Sequence, residues 1–169
     1  MGKRGSPQIS ETEPGGRASL RTWLRLLACT NLIETRLQSR LRQKFGTTLA
    51  RFDVLAQLDA RETEDGSGLT MTELSRRLMV TNGNLTGLIE RLLAERLVAR
   101  SVPASERRSQ IVRLTPEGKR AFQRMVPQHR AWVERMFSGI SPEENKQFHE
   151  LIGKLKHSVQ KAWSEENAG

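Results

Sequence analysis

Residues 79–94 read MVTNGNLTGLIERLLA, a stretch that opens like a turn and closes like a helix. Two glycines, Gly83 and Gly87, stand one turn apart in it, and each costs a helix interior roughly 1 kcal/mol relative to alanine. At about 100° per residue, Leu85, Leu88, Ile89, Leu92 and Leu93 gather on one face. Gly83, Gly87, Glu90, Arg91 and Ala94 gather on the opposite face, with Asn84 and Thr86 at its margins. The outward face is therefore small and polar at its N-terminal end. That is the end a helix inserts into a major groove, where Asn reads adenine and Arg reads guanine. The competing explanation of Thr81-Asn82-Gly83-Asn84 is a helix start rich in cap-forming residues.

The flanking sequence decides between the two. Upstream, Thr70-Met71-Thr72-Glu73 has the spacing of a capping box and opens a short helix, Thr72 to Leu78, with Leu74 and Leu78 apolar. A brief turn and a second helix starting at Thr81 complete a helix-turn-helix. Downstream, Leu97-Val98-Ala99-Arg100 and Ile111-Val112-Arg113-Leu114 are strand-like runs flanking the polar turn PASERRSQ, which carries Arg107 and Arg108. A helix-turn-helix followed by an arginine-tipped hairpin is a winged helix. Arginines at the tip suit the narrow, negative minor groove and its phosphates.

Charge points the same way. Lys and Arg outnumber Asp and Glu by 28 to 19, a balance that favours a polyanionic partner. Between Arg96 and Arg124 eight basic residues face Glu106 and Glu117, so +6 of the net +9 sits in one segment. No window approaches the ~18 apolar residues of a membrane span, the N-terminus lacks a signal-peptide pattern, and the single Cys29 permits no internal disulfide. A cytoplasmic protein is expected.

Working outward, residues 1–18 are rich in Gly, Pro, Ser and charge and read as a disordered tail. From Leu20 to Phe45 apolar residues recur at helical spacing, and Leu49 to Leu58 suggest a shorter helix before an acidic loop at 60–68. Thr115-Pro116-Glu117 and Ser141-Pro142-Glu143-Glu144 open two more helices, with Pro at the first helical position. Pro127 predicts a local irregularity in the first of these. Phe148, Leu151, Ile152, Leu155, Val159 and Trp163 form an apolar stripe on the last helix that matches the one at Leu20 to Phe45.

The chain resembles the MarR family of bacterial and archaeal transcription regulators over roughly residues 20–163. The most specific part is 69–118, LTMTELSRRLMVTNGNLTGLIERLLAERLVARSVPASERRSQIVRLTPEG. Glu106-Arg107-Arg108 and Leu114-Thr115-Pro116-Glu117-Gly118 match the family's Asp-x-Arg wing motif and Leu-Thr-x-x-Gly helix start, with Glu106 in place of Asp. Met79 occupies a turn position where helix-turn-helix proteins often have Gly. The resemblance implies a mainly α fold with a small β-hairpin wing, in which end helices form a dimerisation layer. It divides the chain into a tail (1–18), an N-terminal dimerisation helix (19–46), a winged helix-turn-helix (47–114), C-terminal dimerisation helices (115–163) and a short tail (164–169).

It further implies a homodimer on double-stranded DNA, at a pseudo-palindromic operator, with Thr81, Asn82, Asn84, Thr86, Gly87, Arg91, Arg107 and Arg108 as DNA-binding residues. Of these, the resemblance makes Arg108 the expected minor-groove arginine and Arg107 an expected phosphate contact. In the family a small aromatic or anionic molecule commonly releases a repressor from its operator. Arg21, Arg25, Arg36, Arg40, Arg42 and Lys44 face only Glu34 on the first helix. With Trp23, the Arg36/Arg40 pair is the candidate site for an aromatic acid or CoA thioester, against the alternative of a solvated basic face. Cys29 reads as a small buried helix residue and not a redox switch, since the chain has no Tyr to depress its pKa, and His129, His149 and His157 are too scattered for a shared metal. No cofactor is expected. Nucleotide-binding, metalloprotease and nucleophile-elbow motifs are absent, so no catalytic residue is assigned. A non-specific architectural DNA-binder and a winged-helix protein adaptor are the rival readings.

Overall fold

The computed structural model describes residues 14–65, 67–101 and 110–166. In chain order the elements are α1 (Pro14–Phe45), α2 (Leu49–Asp65), β1 (Leu69–Thr70), α3 (Met71–Leu78), α4 (Asn82–Ala94), β2 (Val98–Ser101), β3 (Ile111–Leu114), α5 (Pro116–Phe137) and α6 (Pro142–Glu166). They form two compact units, one ending at Phe122 and the other beginning at Gln123, within α5. Among the described residues no helix is long and apolar enough to cross a membrane.

In the first unit, α1 starts at Pro14, inside the stretch read as a tail over 1–18; residues 1–13 lie outside the described residues. Proline at the first helical position lacks only an N–H that would have no partner there, so the helix starts before the apolar periodicity does. It stops at Gly46, whose φ of +63° suits glycine. The next helix is capped from a distance: the Leu49 amide donates to Gln38 Oε1 at 2.7 Å. The acidic loop expected at 60–68 is instead helical through Asp65. Ala, Arg and Glu are good helix formers and no breaker intervenes before Gly66, so acidity alone did not end the helix.

The capping box of α3 forms as its spacing predicts. Glu73 N–H donates to Thr70 Oγ1 at 3.2 Å, and Thr70 N–H donates to Glu73 Oε2 at 2.8 Å. The Thr70 amide and the Thr70 hydroxyl, both donating to this carboxylate, hold the Glu73 carboxyl below its ordinary pKa. The hairpin acquires a third strand that periodicity did not suggest: β1 pairs antiparallel with β3, giving the order β1-β3-β2. Leu69 lies opposite Val112, and Val98 opposite Leu114. The core of this unit joins Leu37 and Leu41 of α1, Phe52, Val54, Leu55 and Leu58 of α2, and Leu74, Leu85, Ile89 and Leu92 of the helix-turn-helix, with Val98, Val112 and Phe122. Phe52 and Phe122 pack ring to ring, with centroids 5.3 Å apart.

In the second unit the helix α5 continues through Pro127 without interruption. Ser141 and Glu144 form another capping box, with the Glu144 amide donating to Ser141 Oγ at 3.2 Å and the Ser141 amide to Glu144 Oε2 at 2.7 Å. The final helix runs to Glu166, beyond the expected end at 163, because the polar residues after Trp163 include no breaker. None of its residues is buried. Its stripe of Phe148, Leu151, Ile152, Leu155, Val159 and Trp163 is exposed, as are Leu20, Trp23, Leu24, Leu27 and Leu32 on α1.

Candidate nucleic-acid interface

The helix α4 is built to show one face. Leu85, Ile89 and Leu92 are fully buried and fix its rotation, while Thr81, Asn82, Gly83, Asn84, Thr86, Gly87, Glu90, Arg91 and Ala94 are exposed. A Cβ built at Gly83 or Gly87 would meet no heavy atom within 4 Å among the described residues, the helix's own backbone aside. Intramolecular packing therefore gives no reason for either glycine. Two of the candidate contact residues also serve the helix itself: Thr81 Oγ1 accepts the Asn84 amide at 3.5 Å, and the Thr86 hydroxyl donates to the Asn82 carbonyl at 2.8 Å. Both hydroxyl oxygens keep lone pairs for a further donor. The amide heads of Asn82 and Asn84 stand at the exposed N-terminal turn.

Two ion pairs that sequence reading missed hold the C-terminal half of α4. Arg51, at the start of α2, pairs with Glu95, the C-cap of α4. Arg100 on β2 donates from Nη1 to Glu90 Oε1 at 2.8 Å, tying the wing to the helix's outward face. Both arginines are largely covered, and each keeps a buried Nε without a hydrogen-bond partner. Nothing local marks these partners, since they stand 44 and 10 residues apart and meet only in the fold.

The Leu-Thr-x-x-Gly stretch proves to be the joint at the wing's base. The Thr115 hydroxyl donates to the Arg96 carbonyl at 2.6 Å, the Thr115 amide to the Leu97 carbonyl at 3.1 Å, and the Gly118 amide to Thr115 Oγ1 at 2.9 Å. A Cβ at Gly118 would collide with the Leu97 carbonyl, which explains the glycine by close approach. The wing tip, with Glu106, Arg107 and Arg108, lies outside the described residues.

The candidate effector residues do not converge within one chain. Trp23 and Arg36 are 13 positions apart on the continuous α1, about 20 Å of helical rise, and they point to nearly opposite sides. Arg36 and Arg40 share a face. Cys29 is exposed rather than buried as expected, in a stretch of α1 where Leu24, Leu27 and Leu32 are exposed too. Among the described residues no group of three or more His, Cys, Asp or Glu could hold a metal ion.

Comparison with known proteins adds to this geometry. Residues 45–109 match the family model described as MarR family. The chain is 30% identical over 146 residues to an uncharacterized HTH-type transcriptional regulator of Bacillus cereus, covering 85% of this chain and 93% of the relative. It is 30% identical over 111 residues to the HTH-type transcriptional repressor YetL of Bacillus subtilis, covering 65% of this chain and 64% of that one. Its fold is similar to the crystal structure of Sco3205, a MarR family transcriptional regulator from Streptomyces coelicolor in complex with DNA, with a TM-score of 0.74, 24% identity and coverage of 92% of this chain and 94% of that one. With a winged helix-turn-helix on the page and relatives matched along most of its length, the chain belongs to the MarR family and is a DNA-binding transcriptional regulator, not an enzyme.

Proposed function

We propose that this chain is a cytoplasmic repressor that works as a homodimer on an inverted-repeat operator and is released by a small aromatic or anionic effector. The observation that carries sequence-specific binding is the outward face of α4. Two asparagines and two glycines crowd its N-terminal turns, and the glycines open onto space that no described residue fills. A groove floor can approach such a surface closely, with Asn82, Asn84, Thr86 and Arg91 as base readers. Arg107 and Arg108 at the wing tip add minor-groove and phosphate contacts. Dimerisation draws support from the exposed apolar stripes of α1 and α6, which water alone would leave costly. Two copies then read half-sites about one helical turn apart.

Repression draws support from the repressor YetL among the relatives. The effector reading rests on the exposed Arg36 beside Arg40 on α1, a pair able to anchor a carboxylate or the phosphates of a CoA thioester. An effector that binds the DNA-incompetent arrangement better opposes operator binding through a coupling free energy.

Footprinting on the DNA upstream of the chain's own gene, with random-sequence competitor and then with a panel of aryl carboxylates and their CoA thioesters, tests this reading. A protected inverted repeat bound roughly 10³-fold or more above competitor is expected, with protection lost on adding an active ligand. Equal binding to all sequences would mean an architectural protein. Absence of salt-dependent DNA binding would mean an adaptor. A panel that leaves both DNA affinity and thermal stability unchanged would remove the effector class.

A further inference from the structure

The turn between α3 and α4 holds a residue whose type folding alone does not explain. Met79 ends α3 in the left-handed region, at φ 53° and ψ 39°. That conformation penalises any residue with a Cβ and leaves glycine untouched. Burial does not offset the penalty, because Met79 is 91% exposed, and Val80 beside it is also exposed. Glycine would close this helix better, yet a long apolar side chain stands there.

The turn also holds its position firmly. The Met79 amide donates to the Arg76 carbonyl at 3.4 Å, the Val80 amide to the Ser75 carbonyl at 3.2 Å, and the Ser75 hydroxyl to the Val80 carbonyl at 2.6 Å. Thr81, the N-cap of α4, follows two residues on. Met79 thus projects from a pinned backbone beside the end of α4 that enters the groove. The apolar group a major groove offers there is the 5-methyl of thymine. A thioether chain, unbranched and polarizable, adapts to such a small target.

We propose that Met79 is a specificity-determining residue that packs against a thymine 5-methyl group in each operator half-site. The assignment rests on reading α4 as the recognition helix. It predicts a preference for thymine over any base, or base analogue, that lacks the methyl.

The test starts from an operator selected in vitro from random duplexes by the full-length wild-type protein. Each thymine is replaced in turn by deoxyuridine, which removes the methyl and keeps the pairing. Wild type is expected to lose about fourfold in affinity per half-site at one position, the value of a lost methyl contact. Met79→Gly is expected to melt at the same or a higher temperature, to bind the thymine operator more weakly, and to bind the deoxyuridine operator no worse. A residue of purely structural importance would shift both operators equally. Deoxyuridine tolerated by wild type at every position, or an undiminished deoxyuridine penalty in Met79→Gly, overturns the assignment to Met79 alone. A selection that returns no preferred sequence overturns the reading of α4 and this inference with it.

Discussion

A Cβ placed at Gly118 runs into the Leu97 carbonyl, whereas one placed at Gly87 meets nothing among the described residues. Substitution separates the two cases. Gly118→Ala should destabilise the protein by about 2 kcal/mol or more, since backbone and not a yielding side chain is in the way; urea unfolding measures it. Gly87→Ala should do the reverse, raising stability by up to ~1 kcal/mol, while Gly87→Leu should leave the fold intact and abolish operator binding in a mobility-shift assay. Normal binding by the leucine variant would mean that α4 faces the groove differently. Arg96 adds a second strained position, at φ 57°, just past the end of α4. Its carbonyl receives the Thr115 hydroxyl, so its backbone is held by the wing's base.

At the scale of elements, what was legible in the sequence is what local chemistry specifies. The helix starts at Thr70, Pro116 and Pro142 are marked by caps and prolines whose partners lie within four residues, and each forms where expected. The outward and inward faces of α4 follow from one helical period and agree with its burial. Features that depend on distant partners were not legible. A two-residue strand such as β1 has no period of its own and exists only through β3. The pairs Arg51–Glu95 and Arg100–Glu90 join elements whose proximity is a result of folding. The helical extension of α2 was hidden because acidic residues read as solvent-exposed loop and helix alike. For the wing, Arg108→Ala should weaken operator binding and lower the slope of log affinity against log salt by about one unit. An unchanged slope, measured by titration at several salt concentrations, would contradict the assignment of Arg108 as the wing's minor-groove arginine.

At the scale of the whole molecule, pH and concentration are the two levers. Burial, with the Glu34 charge nearby as a smaller cause, pushes the Asp53 carboxyl up to about 6. Its folded pKa exceeds its unfolded one, so the native state binds more protons between the two values. The cost is present above pH 6 and lifts as pH falls through it. Urea stability should therefore rise from pH 7.5 to 5, and Asp53→Asn should flatten that rise. Glu73 acts oppositely, its contribution present above the ordinary carboxylate range and lost as pH falls through its lowered value. If two copies pair through the stripe of α6 as proposed, Leu151→Asp, at a position 61% exposed in the single chain, should leave each chain folded yet shift sedimentation from dimer to monomer. Loss of the paired half-site should cost operator affinity roughly 100-fold or more. The absence of any buried residue in α6 then reaches beyond structure. If a second copy is what covers that helix, the active species scales with the square of the chain's abundance when copies are scarce. Halving expression then leaves about a quarter of the dimer, so dilution during growth becomes a signal in its own right, lifting control of the target genes before any effector arrives.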